Sequence, residues 1–312
     1  DGCNTRADAV VERAPLLDVL THLLLIVALA ALCLPVWFAL VAASLPLEEA
    51  ARSPLPLLPG DRLLENLAAA WQRADLGRAL LNSTVMAAGI AAGKIALAVL
   101  SAFALVYFRL RLRWFAFWAI FLSLMLPVEV RIVPTYEVVA NVLVPVQSLA
   151  GWLGLGPALA AEAAGGTAKV SLLNSYAGLI LPLTASATAT FLFRQVFLTV
   201  PEELTEAALV DGCRPMAFLR LVLLPLSRTN LAALFIILFV WSWNQYLWPL
   251  LMVTDPAYDT AVVAVTRLMP SMDALPRWHE TMAAALLAMA PPVLVVLLFQ
   301  RWFVQGLIEH DR

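Results

Sequence analysis

The sequence carries little charge and few of the side chains that enzymes use for chemistry. Charged residues make up 13% of its 312 positions, about half of the roughly 25% that is usual in soluble domains. Three cysteines, Cys3, Cys33 and Cys213, form no CxxC pair or metal-site spacing, so we expect no structural disulfide. The three histidines lie far apart, and no phosphate-binding glycine loop or H-E-x-x-H pattern is present. We therefore expect no catalytic residue, metal site or cofactor in this chain.

Apolar residues are what the chain has in excess, at 62% of the sequence. A helix needs roughly 20 apolar residues to cross the hydrocarbon core of a membrane. Six near-continuous runs reach this length, at 23–47, 80–106, 115–133, 177–197, 231–253 and 282–299. The first run is too long for a signal-peptide core, so we interpret it as a retained span. The sequence thus predicts an all-α integral membrane protein with six transmembrane helices, comprising a tail at 1–15 and one transmembrane domain at 16–312.

Arginines between the second and third runs indicate the orientation in the membrane. Arg109, Arg111 and Arg113 stand in a short connector without an acid, and cationic residues in short loops mark the cytoplasmic side. With this loop inside, both termini and the polar segment 199–225 are cytoplasmic. A Gly- and Ala-rich loop at 147–171 then faces outward, and we expect it to be a flexible spacer or a short interfacial helix.

The polar segment 199–225 is predicted to form two short helices at an angle. Thr199 is placed to cap the first helix, with Pro201 in its first turn. Asp211 and Gly212 are placed to end it, because glycine readily adopts the left-handed conformation found at helix C-termini. Pro225, followed by a cap at Ser227 or Thr229, then begins the fifth span. Such an insert suits docking of a cytoplasmic partner, although a capped amphipathic helix also lies at the membrane interface without any partner.

Two cations within the predicted spans are candidates for the transport pathway. Lys94 lies near the middle of the second span, where an unpaired charge is costly. It either attracts an anionic substrate or pairs with an acid such as Glu129 on the third span. Arg131 suits a phosphate group through bidentate hydrogen bonds, but it also has the length to reach lipid headgroups or to pair with Glu129.

Two amides form the other pathway candidate. Asn244 and Gln245 fall beyond the midpoint of the predicted fifth span, where amide groups require hydrogen-bond partners. They either line a polar pathway, as mid-membrane residues of transporters often do, or bond a neighbouring helix.

The insert also carries a specific pattern. It reads Glu206-Ala207-Ala208, then three residues and Gly212, then nine residues and Val222-x-Leu224-Pro225. This pattern resembles the signature loop of bacterial ABC importer permeases of the maltose-permease superfamily, with Val222 where isoleucine is usual. Three further stretches, 126–134, 186–195 and 243–250, resemble most the branch that imports sn-glycerol 3-phosphate. The longer outer loop, Cys213-Arg214 after the glycine and the first dozen residues depart from that branch.

The resemblance implies a function and a set of partners. In that family the insert is a coupling helix that sits in a groove of a separate ATPase, which binds ATP and Mg²⁺. It implies coupling roles for Glu206, Ala207, Ala208, Asp211, Gly212, Leu224 and Pro225. It further implies a second homologous permease, a dimer of ATP-binding subunits, an extracytoplasmic substrate-binding protein and a bacterial inner-membrane location, with no nucleic-acid partner.

The expected function is therefore uptake of sn-glycerol 3-phosphate or glycerophosphodiesters, coupled to that ATPase. A permease for maltose- or trehalose-type sugars is the first alternative, and the intramembrane cations favour an anion over it. A self-contained secondary transporter is the second alternative, but it offers no role for the insert at 199–225.

Overall fold

The computed structural model of the chain describes residues 15–108, 111–123, 128–153, 170–269 and 277–308. Within these ranges all regular secondary structure is helical. The α-helices are α1 Pro15–Ser44, α2 Leu47–Ala50, α3 Leu63–Arg73, α4 Leu76–Tyr107, α5 Arg113–Ser123, α6 Val128–Ala140, α7 Val144–Trp152, α8 Tyr176–Ile180, α9 Ala187–Leu198, α10 Glu202–Val210, α11 Pro215–Phe218, α12 Leu224–Leu226, α13 Arg228–Trp243, α14 Leu247–Met252, α15 Ala261–Arg267 and α16 Trp278–Ile308. Short 3₁₀ turns occupy Leu181–Leu183 and Pro256–Tyr258, and a π-helical turn occupies Leu219–Leu223.

Three helices are long and apolar enough to cross a membrane without a break. They are Val19–Ser44, Leu76–Tyr107 and Trp278–Gln300, and they coincide with the first, second and sixth predicted spans. Residues 19–37 of the first of these helices are all exposed, as expected for side chains that face lipid, whereas its last turn is buried.

The predicted third, fourth and fifth spans are not single straight helices in the described residues. The third corresponds to α5 and α6, between which 124–127 lies outside the description. The fourth is bent by 51° between Tyr176–Leu183 and Ala187–Leu198. A new helix starts at the bend, because Ser186 is its N-cap and the Ser186 hydroxyl accepts a hydrogen bond from the backbone amide of Ala189. The fifth stops at Trp243 and resumes at Leu247. Pro249 explains this break, since its ring conflicts with the carbonyl four residues before it in a continuous helix.

Two compact units make up the chain. The smaller is drawn from Asp1–Ala70 and Met269–Leu286. Its core consists of Val41, Leu45 and Ala50 with Leu55 and Trp278 against them. Here the buried Asn66 side-chain amide donates to the carbonyls of Ala43 and Leu45, at 2.7 and 2.9 Å. It thereby provides hydrogen-bond donors for carbonyls at the C-terminal end of α1.

The larger unit, Trp71–Leu268 with Leu287–Arg312, is built around α4. Helices α9 and α13 both pack against α4. The core between them is rich in aromatic side chains, and Phe193, Phe197 and Trp243 are almost completely buried. The Trp243 indole donates to the carbonyl of Ala288 at 3.2 Å, so the polar atom of this large apolar side chain is satisfied.

The N-terminal part of α4 is held by a buried amide. The Asn82 side chain donates to the carbonyls of Ala257 and Asp259, at 3.0 and 2.9 Å, and accepts from the Tyr176 hydroxyl at 2.6 Å. Asp259 forms an ion pair with Arg267 at 2.9 Å. Burial raises the pKa of the Asp259 carboxyl, and the Arg267 guanidinium partly offsets that effect.

Two other predicted segments lie partly or wholly outside the described residues. The predicted outer loop 147–171 begins within α7, and 154–169 is outside the description. Residues 1–14 of the predicted tail are also outside it.

Candidate functional site

The polar insert begins with α10, but not with the predicted cap. The Thr199 hydroxyl donates to the carbonyl of Val196 at 2.8 Å, and Thr199 is the C-cap of α9. Pro201 is the N-cap of α10 and makes no side-chain capping bond. The predicted N-cap role of Thr199 is therefore wrong, because this residue closes the preceding helix. Glu202 and Glu203 occupy the first turn of α10, where negative charge stabilises the positive end of the helix dipole.

The end of α10 confirms the predicted glycine stop. Gly212 has φ of 66°, which is the left-handed conformation that glycine adopts without steric cost. Its amide bonds the carbonyl of Leu209 at 3.1 Å, and the amide of Cys213 bonds the carbonyl of Ala208 at 2.9 Å. These bonds close the last helical turn. A Cβ at Gly212 would meet no atom within 4 Å, so the backbone angle alone requires the glycine.

One side of α10 is open to solvent. Glu206 and Ala207 are exposed, whereas Ala208 packs against the core of the larger unit. Leu209 and Val210 are 71% and 88% exposed. Sequence reasoning did not single out these two residues. The usable signal was that two adjacent apolar residues stand near the end of an otherwise polar helix, just before its glycine stop. Together with Glu206 they give α10 a surface that is both acidic and apolar.

The second half of the insert anchors it to α4. Phe218, Leu219 and Leu223 are buried, and the Phe218 ring meets the Tyr107 ring edge-on with centroids 5.5 Å apart. Leu221, within the same turn, is 73% exposed, because the π-helical turn at Leu219–Leu223 shifts the register of the buried face.

The insert ends in a sharp bend. Pro215–Leu226 and α13 meet at 77°. Within this region Leu224 is half-buried and Pro225 exposed. Ser227 holds the predicted N-cap position of α13, but it makes no side-chain capping bond. The bend therefore relies on backbone geometry and packing.

Lys94 lies in the buried part of α4. Its ammonium is 3.6 Å from the centroid of the Trp241 ring, on α13, and only 7% of the residue is exposed. No carboxylate among the described side chains forms an ion pair with it. The side chain of Glu129, the acid considered as its partner, lies outside the description. An aromatic ring rather than a described acid thus contacts this cation.

Arg131 lies on α6, and its side chain is exposed. It forms no ion pair with any carboxylate that the structure describes.

Asn244 and Gln245 lie at the break between α13 and α14, not inside a continuous fifth span as predicted. The Asn244 side chain donates to the carbonyl of Val240 at 2.9 Å, and that of Gln245 to the carbonyl of Trp241 at 3.2 Å. Both side-chain amides therefore donate to carbonyls in the last turn of their own helix, and the Val240 carbonyl also accepts from the backbone amide of Asn244 at 3.2 Å. Gln245 thereby bonds the backbone of the residue whose ring contacts Lys94.

The described residues contain no group of three His, Cys, Asp or Glu side chains that could hold a metal ion. What the chain presents is an exposed acidic and apolar helix on the insert, and a pair of cations among the apolar helices.

Comparison with known proteins places these features in a family. Residues 94–309 match the family model described as binding-protein-dependent transport system inner membrane component. The sn-glycerol-3-phosphate transport system permease protein UgpE of Pectobacterium atrosepticum is 47% identical over 302 residues, 95% of this chain and 98% of the relative. That of Rhizobium meliloti is 44% identical over 309 residues, 97% of this chain and the full length of the relative.

A solved structure shares the fold. It is the crystal structure of a bacterial ABC transporter involved in the import of the acidic polysaccharide alginate, with a TM-score of 0.71 and 16% identity. The match covers 96% of this chain and 98% of the other. At this identity the likeness establishes the fold only. The family match and the full-length relatives establish more: this chain belongs to the family of inner-membrane components of binding-protein-dependent transport systems.

Proposed function

We propose that this chain is one of two permease subunits that form the translocation pathway of an ATP-driven importer of sn-glycerol 3-phosphate or glycerophosphodiesters. The observation that carries the proposal is its identity of 44–47% over at least 95% of its length with permeases named for sn-glycerol-3-phosphate transport. In this assignment the chain is not an enzyme, and a separate ATPase binds ATP and Mg²⁺.

The chain crosses the bacterial cytoplasmic membrane six times, with both termini inside. Val19–Ser44, Leu76–Tyr107 and Trp278–Gln300 supply three crossings. Two more come from the bent pairs, and α5 with α6 provides the sixth. The arginine-rich connector at 109–113 supports the cytoplasmic placement of the insert.

The insert couples the permease to the ATPase. Glu206 meets a basic residue in a groove of that subunit, and Ala207 allows close approach because its side chain is small. The exposed Leu209 and Val210 supply apolar contact area, which a docking surface needs and a solvent-facing helix does not. Ala208, Asp211 and Gly212 fix the end of α10, while Leu224 and Pro225 transmit its position to α13.

The cations select an anionic substrate. A phosphate monoester carries close to two negative charges at neutral pH. Lys94 and Arg131 lack an ion-pair partner among the described side chains, so an entering phosphate group would supply the negative charge. Glu129, Asn244 and Gln245 complete the proposed polar lining of the pathway.

Transport proceeds by alternating access. A substrate-binding protein delivers the ligand at the outer face, and a second homologous permease forms the other half of the pathway. Closure of the ATPase dimer around ATP draws the two inserts together and opens the pathway outward as a rigid-body movement.

The decisive test is the ATPase activity of the complete complex in lipid nanodiscs. The binding protein is supplied with glycerol 3-phosphate, glycerophosphocholine or a panel of sugars. We expect stimulation by the glycerophosphates. Stimulation by sugars alone would overturn the substrate assignment and leave the permease assignment standing. Uptake of a glycerophosphate into closed proteoliposomes that contain this chain without any ATPase subunit would overturn the assignment as an ATP-driven permease.

A further inference from the structure

A large groove runs along the larger unit, and its lining does not include Lys94 or the exposed residues Glu206, Leu209 and Val210 of α10. Its volume is about 810 Å³, within the roughly 300–1,000 Å³ that is typical of ligand-binding cavities. Its walls are mostly apolar and come from α4 and α13, with Ala96, Val99, Leu231 and Phe235 among them. Phe299 of α16 closes one side.

The insert and the start of α13 contribute the polar part of the groove. Arg220, in the π-helical turn, and Arg228, at the start of α13, both line it. Both are exposed, and neither pairs with a carboxylate of the described residues. No acidic residue is among those that form the described lining. The groove therefore joins an apolar trough to two uncompensated positive charges.

The position of the groove along the helices restricts its occupant. Its walls belong to α4, to α13 and, through Phe299, to α16, and both α4 and α16 are long enough to cross a membrane. Its arginines lie in the insert, at Arg220, and at the start of α13, at Arg228. An apolar trough at membrane depth with cations at its end matches a molecule with hydrocarbon chains and an anionic headgroup. A small soluble anion has no apolar part to contact the trough, and a neutral lipid leaves both arginines without a counter-charge.

We propose that this groove binds an anionic phospholipid. Its acyl chains lie along α4 and α13, and its headgroup phosphate accepts hydrogen bonds from Arg220 and Arg228. Arginine favours this chemistry because its planar guanidinium bonds two phosphate oxygens at once.

Native mass spectrometry of the complete transport complex tests the proposal. The complex is reconstituted with equal amounts of phosphatidylglycerol and phosphatidylcholine and transferred to detergent, and its mass is then measured together with the lipids that it retains. Three variants are compared with the unaltered chain. R220Q/R228Q removes the charges, Ala96→Trp fills the trough, and Arg214→Gln is the matched control, an exposed arginine of the insert outside the groove.

We expect the unaltered complex and the Arg214→Gln complex to retain phosphatidylglycerol in preference to phosphatidylcholine. The double variant should lose about 30-fold in that preference, from roughly fivefold per arginine, and Ala96→Trp should retain neither lipid at this site. Ala119→Trp, on an exposed position of α5, controls for the bulk of the indole.

Two results would overturn the proposal. One is equal retention of phosphatidylglycerol by all variants. The other is unchanged lipid retention together with loss of the second permease subunit from the Ala96→Trp complex, which would identify the groove as a protein interface. The same spectra report lipid stoichiometry and subunit composition, so a misassembled variant is recognised directly.

Discussion

The ammonium of Lys94 on α4 lies 3.6 Å from the centre of the Trp241 ring on α13. A cation over an indole gains about 0.5–2 kcal/mol, whereas a cation at the centre of a membrane costs at least about 2.5 kcal/mol. The ring therefore offsets only part of the cost of placing Lys94 there. In the pathway that we propose, the negative charge of an entering phosphate group would offset the rest of this cost.

Lys94→Met tests whether this cation serves transport or packing. Methionine is similar in length and carries no charge, so the fold should persist with unchanged or slightly greater stability. We expect stimulation of ATP hydrolysis by glycerol 3-phosphate to fall at least tenfold, because the phosphate loses its counter-charge. The measurement is ATPase activity of the reconstituted complex over a range of loaded binding protein.

Lys94→Arg serves as the control for the charge, and it should retain most of the stimulation. If the methionine variant responds to glycerol 3-phosphate as the unaltered complex does, Lys94 has a structural role only.

Glu206→Lys tests the coupling surface of α10. The side chain is exposed, so reversal of its charge should leave membrane insertion and folding intact. Substrate-stimulated ATP hydrolysis should be lost, since a lysine would face a basic residue of the ATPase. Co-purification of the ATPase with the permease provides a second measurement.

Glu202→Lys is the matched control on the same helix. It removes a favourable interaction with the helix dipole, worth about 0.3–1 kcal/mol, but we expect it to preserve coupling. Equal effects of the two substitutions would indicate a general response to charge rather than a specific contact at Glu206.

The sequence predicted the long apolar helices and the glycine stop because both depend on local information. Val19–Ser44 and Leu76–Tyr107 are continuous apolar runs, and Gly212 follows an acidic helix. The break after Trp243 was missed, because hydropathy averaged over 20 residues is insensitive to three residues between apolar neighbours. Pro249 was the usable signal for it.

Partners of polar residues were harder to predict. The contact of Lys94 with Trp241 joins positions far apart in the chain, and so does the bond of Tyr176 to Asn82. Sequence reasoning offered Lys94 either an anionic substrate or an acid such as Glu129, because residue types alone suggest only charge compensation. The Trp241 ring could be identified as the partner of Lys94 only from the packing of α13 against α4.

Gly212 should tolerate asparagine better than alanine. A left-handed conformation costs an ordinary residue about 1–2 kcal/mol, and asparagine tolerates it more readily. Because a Cβ at this position meets no neighbouring atom, the whole effect of Gly212→Ala should arise from the backbone. Hydrogen exchange at the amides of residues 212 and 213 should be about 5- to 30-fold faster in the alanine variant. Equal protection in the alanine, asparagine and unaltered proteins would show that the turn is not strained.

Asn82→Leu should be the most destabilising of these substitutions. It leaves the carbonyls of Ala257 and Asp259 and the hydroxyl of Tyr176 without the partner that each has now, at about 1–3 kcal/mol for each group that stays buried. Tyr176→Phe removes one of these bonds and should lower the melting temperature of the purified permease by a smaller amount. Thr84→Val is the matched control on the same helix, because its exposed hydroxyl bonds only the carbonyl of Leu80 one turn earlier, and it should leave the melting temperature nearly unchanged. If the leucine variant has the same melting temperature as the unaltered protein, water replaces all three hydrogen bonds and apolar packing holds this end of α4 instead.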